Sequence, residues 1–303
     1  MGRRSGLAEA VELARGDEHR RVAAGTRRLG AVWWYGGATA LALLFVGPFF
    51  WALSSSLKAP AELYVFPPAL FPAVPRFGNY LELWTELPFG VFARNSLIVA
   101  FFNTVGQTVS AAAVAYGFAR FRFPGRNALF VLVLSTLMLP QQVTIIPLFL
   151  MYKQAGWLDT YLPLTVPQLF GGSAFFVFLI RQFFLTLPLE LDEAAEIDGA
   201  GTLRVFWSIL LPLSKPVLAT CAIFAFLFSW NEFLEPLIYL NNRDLFTLPL
   251  GLRYLSVLPE MNAKPKEHLM MGAAVLFALP PIALFFALQR YFVRGIVMSG
   301  IKG

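Results

Sequence analysis

The chain has 303 residues, 57% of them hydrophobic and 14% charged, with a net charge of +6 and a mean hydropathy of +0.64. Soluble globular proteins carry about 25% charged residues, so this composition excludes a disordered chain, a nucleic-acid-binding tail protein and an ordinary cytosolic enzyme. It predicts an all-α membrane protein.

Residues 1–28 are polar, hold seven Arg and lack the short apolar core of a signal peptide. They read as a cytoplasmic N-terminal tail. A membrane-crossing helix needs about 20 mostly apolar residues. Intervals free of Asp, Glu, Lys and Arg run over 29–57, 95–119, 127–152, 160–180 and 269–289. A sixth, 216–242, is broken only by Glu232 and Glu235. These runs do not alternate as barrel strands do, and helices satisfy their own backbone in lipid, so six transmembrane helices are expected within 29–303. With the N-terminus inside, the inside segments hold 16 Lys and Arg and the outside segments eight. That bias predicts a multi-pass protein with both termini in the cytoplasm. Cytoplasmic basic loops account for the net charge, so no nucleic-acid partner is implied.

The first outside loop, 58–92, contains six prolines and is expected to be an extended, irregular connector. A docking surface for an outside partner is the other reading. The second, 153–159, is short and makes its flanking spans antiparallel neighbours. The third, 243–268, is polar. Cys221 is the only cysteine, and His19 and His268 lie far apart, so no disulfide and no metal site is expected. There is no G-x-x-x-x-G-K-[ST] run and no Ser, His and Asp set, so no catalytic residues are assigned.

The inside loop at about 185–215 differs from the other connectors. It carries Glu190, Asp192, Glu193, Glu196 and Asp198 against Arg204 and Lys215. Pro188 can open a helix, and the acids after it suit the positive end of a helix dipole. Gly199 and Gly201 can end the turn left-handed, and Thr202 can cap a second helix running through Phe206 and Ile209 to Pro212. The expectation is a short helix, a sharp bend and an amphipathic helix below the membrane. It is either a plain interfacial connector or a docking surface, with small Ala side chains allowing close approach and Glu193 offering a charge.

This loop resembles the E-A-A-x3-G-x9-I-x-L-P signature of ABC-importer permeases, with Glu193, Ala194, Ala195, Gly199, Ile209, Leu211 and Pro212 in its fixed positions. The stretch 228–240 is similar to the W-N-[DE]-F-L-x-P-L segment of carbohydrate-importer permeases, although Glu235 stands where an apolar or small residue is common. The C-terminus is similar to the G-x-x-x-G-x-x-K-G tail of the second, maltose-type permease subunit, although Ser299 stands at its second Gly and Gly300 follows one position later. The resemblance covers roughly 30–303 and implies a type I ABC importer permease with MetI-like architecture in a prokaryotic inner membrane. It implies a second permease subunit, two ATPase subunits that bind ATP and Mg, and an extracytoplasmic solute-binding protein; this chain itself needs no cofactor. Glu193, Ala194, Ala195, Gly199, Ile209 and Pro212 would then form the coupling helix and its bend. Gly300, Lys302 and Gly303 would reach the ATPase interface. A polyol, a glycerophosphodiester or a peptide is the alternative solute to a carbohydrate. A stand-alone secondary transporter would show internal repeats, and none is seen. A membrane-embedded enzyme would need more acids or histidines in the spans.

Within the membrane, an acid at a helix centre costs on the order of 2.5–3.5 kcal/mol and so faces the bundle interior or water. Glu232 is therefore a candidate for the translocation pathway, with Trp230 and Asn231. Trp230 offers a ring that can stack on a sugar face. The competing readings are packing for Trp230 and a shorter fifth span that leaves Glu232 and Glu235 near the surface. The small residues Ser110, Ala111, Ala113, Ala115 and Gly117 of the second span suit close helix packing.

Overall fold

Proline and glycine decide where the apolar runs remain straight. A computed structural model describes residues 33–86, 88–257 and 266–300, and no strand occurs among them. Four helical segments are long and apolar enough to cross a membrane: α1 (Trp33–Ser56), α3 (Phe89–Arg120), Leu162–Phe184 and the first part of α14 (Glu267–Gly300). Two further candidates are bent pairs, Arg126–Met138 with Gln141–Gln154 at 97°, and Thr202–Leu213 with Lys215–Asn231 at 81°. Six spans were expected; among the described residues, four segments and two broken ones are found.

The third expected span breaks between α4 (Arg126–Ser135) and α5 (Gln141–Gln154). Pro140 disfavours helical backbone at Leu139, which sits at φ −80°, ψ 116°. Span four comprises α6 (Leu162–Thr165), a 3-10 turn and α7 (Ala174–Phe184). Ser173 caps α7, its Oγ accepting from Phe175 N at 3.3 Å. The fifth span, α11 (Lys215–Asn231), stops well short of residue 242. Glu232 turns extended there, and a short separate helix, α12 (Leu234–Tyr239), follows.

The centre of the bundle is α3, packed mainly against α11 and α7. Ala111, Ala112 and Ala115 have no exposed surface. Their small side chains admit Phe176, Ile180 and Phe184 from α7 and Cys221 from α11 into one cluster. Ala111 and Ala115 of the small-residue stripe thus serve packing within the chain, whereas Ala113 is exposed. A second cluster surrounds Trp230, and a third joins Tyr152, Leu164 and Tyr239 to Leu250 of α13 (Leu248–Val257). In contrast, α1 buries nothing along its apolar length against the rest of the chain.

The loop at 58–92 is more ordered than the irregular connector expected of it. A 3-10 turn (Pro60–Tyr64) and α2 (Gly78–Glu86) fold back over the end of α1. Lys58 is 1% exposed there. Its Nζ donates to Ala69 O at 2.7 Å and to Ser55 Oγ at 3.4 Å, and lies 4.1 Å from the centroid of the Trp51 ring. Burial pulls its pKa below the usual lysine value, with Glu62 acting in the opposite sense. Asn79 Nδ2 donates to Ser56 O and Lys58 O, and Ser54 Oγ to Leu70 O. At the same end of the molecule, Asp159 adopts φ 61°, and its Oδ1 accepts from Asn241 N and Asn242 N at 2.9 and 2.7 Å. That contact staples the loop at 153–159 to the segment that follows α12.

Candidate functional site

The loop at 185–215 forms the expected helix, bend and second helix. Its first helix, α8 (Glu190–Ile197), carries Glu190, Asp192 and Glu193 in its first turn, where free N–H groups and the dipole favour acids. It closes with a Schellman turn: Ala200 N donates to Ala195 O at 2.9 Å and Gly199 N to Glu196 O at 3.0 Å. Gly199 has φ +77°, and the space that a Cβ would occupy is open, so glycine is favoured there by backbone conformation rather than by crowding. The other two local expectations differ. Gly201 is extended at φ −70°, ψ 162°, and acts as the N-cap of α9 (Thr202–Val205), so Thr202 is the first helical residue instead of the cap.

From Phe206 to Leu210 the helix widens into a π-turn, with Leu211 N bonding to Phe206 O, before α10 (Leu211–Leu213). Pro212 has no N–H with which to continue the α ladder. Ile209 packs against the inner cluster, and Pro212 is exposed.

The Glu-Ala-Ala triplet divides between two environments. Glu193 and Ala194 are exposed, and among the described residues the Glu193 carboxylate has no ion-pair partner. Ala195 is 6% exposed and faces the chain's own core with Val205, Phe206 and Leu210. It seats the helix and offers no outer surface. Ile197, Leu203 and Trp207 extend the exposed face with apolar side chains. The loop therefore presents a small, partly apolar surface with an exposed carboxylate, on a helix anchored from behind.

The anchor was not legible in the sequence. Arg120, the last residue of α3, places Nε 2.9 Å from Asp192 Oδ2, with the two side chains 6% and 16% exposed. The Nε–H is not aimed at that oxygen, so the contact is a charge pairing and not a directed hydrogen bond. Burial pushes the Asp192 carboxyl up from its ordinary value, and the Arg120 guanidinium draws it back. Arg120 Nη2 also donates to Leu187 O at 3.2 Å, and Tyr116 Oη to Thr202 O at 3.2 Å.

The candidate pathway residues lie at the other end of α11. Trp230 is 1% exposed, stacked at 5.6 Å on both Phe226 and Phe277, and its Nε1 donates to Phe277 O at 3.1 Å. Packing occupies the faces that a sugar would use. Asn231 is exposed, and its Nδ2 bonds back to Leu227 O. Glu232 Oε1 accepts from Leu234 N at 2.9 Å and Glu235 N at 3.1 Å, capping α12. Glu235 accepts from Gln141 Nε2 of α5. Gly300 ends α14, while Lys302, Gly303 and the tail 1–28 lie outside the described residues.

This architecture has known counterparts. A family model described as "Binding-protein-dependent transport system inner membrane component" matches residues 107–298. The sn-glycerol-3-phosphate transport system permease protein UgpE of Yersinia enterocolitica is 37% identical over 263 residues, covering 85% of this chain and 92% of the relative. The protein of the same name from Pectobacterium atrosepticum is 36% identical over 265 residues, covering 86% and 92%. A chain from the crystal structure of a bacterial ABC transporter involved in import of the acidic polysaccharide alginate superimposes with a TM-score of 0.77 at 23% identity, covering 88% of this chain and 97% of that one. The structural likeness shows the shared fold, and the family match and the relatives assign the chain to the inner-membrane permease components of binding-protein-dependent ABC importers.

Proposed function

We propose that this permease receives the ATP-driven movement of partner ATPase subunits through the loop at 185–215, in an importer for a carbohydrate or a carbohydrate-like phosphate ester. The observation that carries the coupling role is the exposed Glu193 carboxylate, without an ion-pair partner among the described residues, beside Ala194 and Ile197 on a helix fixed from behind by Ala195, Asp192 and a Schellman turn. A basic residue in an ATPase cleft would complement it. Both termini and this loop belong on the cytoplasmic side in this reading, in keeping with the Lys and Arg bias. ATP and Mg act on the partner chains. A second permease is expected to cover part of α1, whose apolar length is unburied by its own chain. Asn231 and Glu232 remain the residues at the end of α11 closest to a pathway role, and 300–303 the tail that reaches towards the ATPase.

Among phosphate esters, glycerol phosphate is favoured by the relatives named for it, which align along most of their length. Glu193→Lys tests the coupling role. The variant should reach the membrane in normal amount but lose co-purifying ATPase and uptake. Wild-type uptake in this variant would reject the assignment. Titration of the associated binding protein with sn-glycerol 3-phosphate and a sugar panel decides the solute class.

A further inference from the structure

We propose that Arg120 and Asp192 clamp the loop to α3, and that α3 carries the loop's displacement across the membrane to the segment at 241–248. This deepens the coupling role above and rests on it. The last turn of α3 holds the loop at three places. Arg120 meets Leu187 O before α8 and Asp192 within it, and Tyr116 meets Thr202 O after the glycine bend. Tyr116 and Arg120 are four residues apart and so share one helix face. The guanidinium is planar and always charged, which lets one side chain hold a carboxylate and a carbonyl together. Removing one partner strands a buried charge, so the two elements are costly to separate.

The far end of α3 is tied equally firmly. Asn95 Nδ2 donates to Asp244 O at 2.8 Å and Phe246 O at 3.0 Å, and Ser96 Oγ accepts from Leu248 N at 2.7 Å. All of Asn95, Ser96 and Leu248 are buried. From Asn95 to Arg120 the helix rises about 38 Å at 1.5 Å per residue. It is also the stiffest connection available. Of the four long segments, α1 contains Pro48, Leu162–Phe184 contains Pro163 and Pro167, and α14 contains Pro280 and Pro281, whereas α3 contains no proline. Between the two ends, Asn103 Nδ2 bonds to Ser229 Oγ of α11, so a shift of α3 is shared with the helix that ends at Asn231.

The test uses the assembled importer in lipid nanodiscs. An environment-sensitive fluorophore is placed on Asn241→Cys, an exposed position, in a Cys221→Ala background that removes the one native cysteine. ATP with vanadate should change the emission of this complex. Arg120→Leu should retain its ATPase subunits and their ATP turnover but lose the change at 241. Asp192→Asn, which keeps the side-chain shape, should lose it too, and the exchange Arg120→Asp with Asp192→Arg should restore it. An unchanged ATP response in both single variants would overturn the proposal. So would a wild-type reporter that does not respond, or single variants that merely shed their ATPase subunits. A wild-type complex without bound ATPase would instead overturn the coupling role on which the proposal rests.

Discussion

Replacing Gly199 isolates backbone conformation from packing. Its φ of +77° lies in the left-handed region, and no heavy atom lies within 4 Å of an added Cβ. An alanine there meets no neighbour, so its cost is conformational, about 1–2 kcal/mol. If the loop relaxes when undocked, that strain appears as an affinity loss of about 5- to 30-fold for the ATPase subunit. Asn tolerates left-handed backbone through local hydrogen bonding and should fall between Gly and Ala. Val, with a branched Cβ, should be worst. The assay is titration of purified ATPase subunit onto nanodisc-embedded permease, with membrane abundance measured in parallel. The predicted order of affinity is Gly, Asn, Ala, Val. Equal affinity across the series would refute the claim that the Schellman turn sets the orientation of α8. An order that follows side-chain volume, with Asn below Ala, would show that the open space seen around Gly199 is filled by the partner.

Two further substitutions separate anchoring from function. Glu232→Ala removes the acceptor for Leu234 N and Glu235 N and should cost about 1 kcal/mol, seen as faster amide exchange over 234–239. Glu232→Gln keeps an acceptor oxygen and should exchange like the parent; uptake lost equally in both variants would assign Glu232 a role for its charge. Asp159→Ala should lower thermal stability by about 1–3 kcal/mol through loss of two hydrogen bonds to a carboxylate. Asp159→Asn, which keeps an acceptor and suits φ 61°, should lose less, and equal melting of the two variants would argue against the staple.

The membrane segments were legible because lipid forces their composition, and a run without charges is visible in one dimension. Which of the prolines would break them was not. Pro140 turns the chain by 97°, whereas Pro147, Pro280 and Pro281 lie inside helices that continue through them. The residue is the same; the neighbouring packing decides between a break and a continuous helix. In the loop, the spacing from Glu193 to Gly199 matches one short helix closed by a left-handed residue, and it is realised that way. Gly201 was beyond reach, since glycine is equally suited to an extended cap. The two faces of α11 are both apolar, so nothing in the sequence told that Trp230 would be stacked between Phe226 and Phe277. The Arg120–Asp192 pair joins segments far apart in the chain, and no local pattern announces it.

Lys58 alters the electrical appearance of the face that carries the proline-rich cap. Counted in the sequence, it is one of the eight cations expected on the side opposite the tail. In the folded protein its ammonium is enclosed by a carbonyl, a hydroxyl and an indole ring, with 1% of the residue left exposed. A lipid headgroup or a docking protein approaching this face meets exposed Phe66, Phe71 and Phe77 in place of that charge. The charge asymmetry sensed during membrane insertion and the surface offered to partners afterwards are therefore two different maps of the same loop.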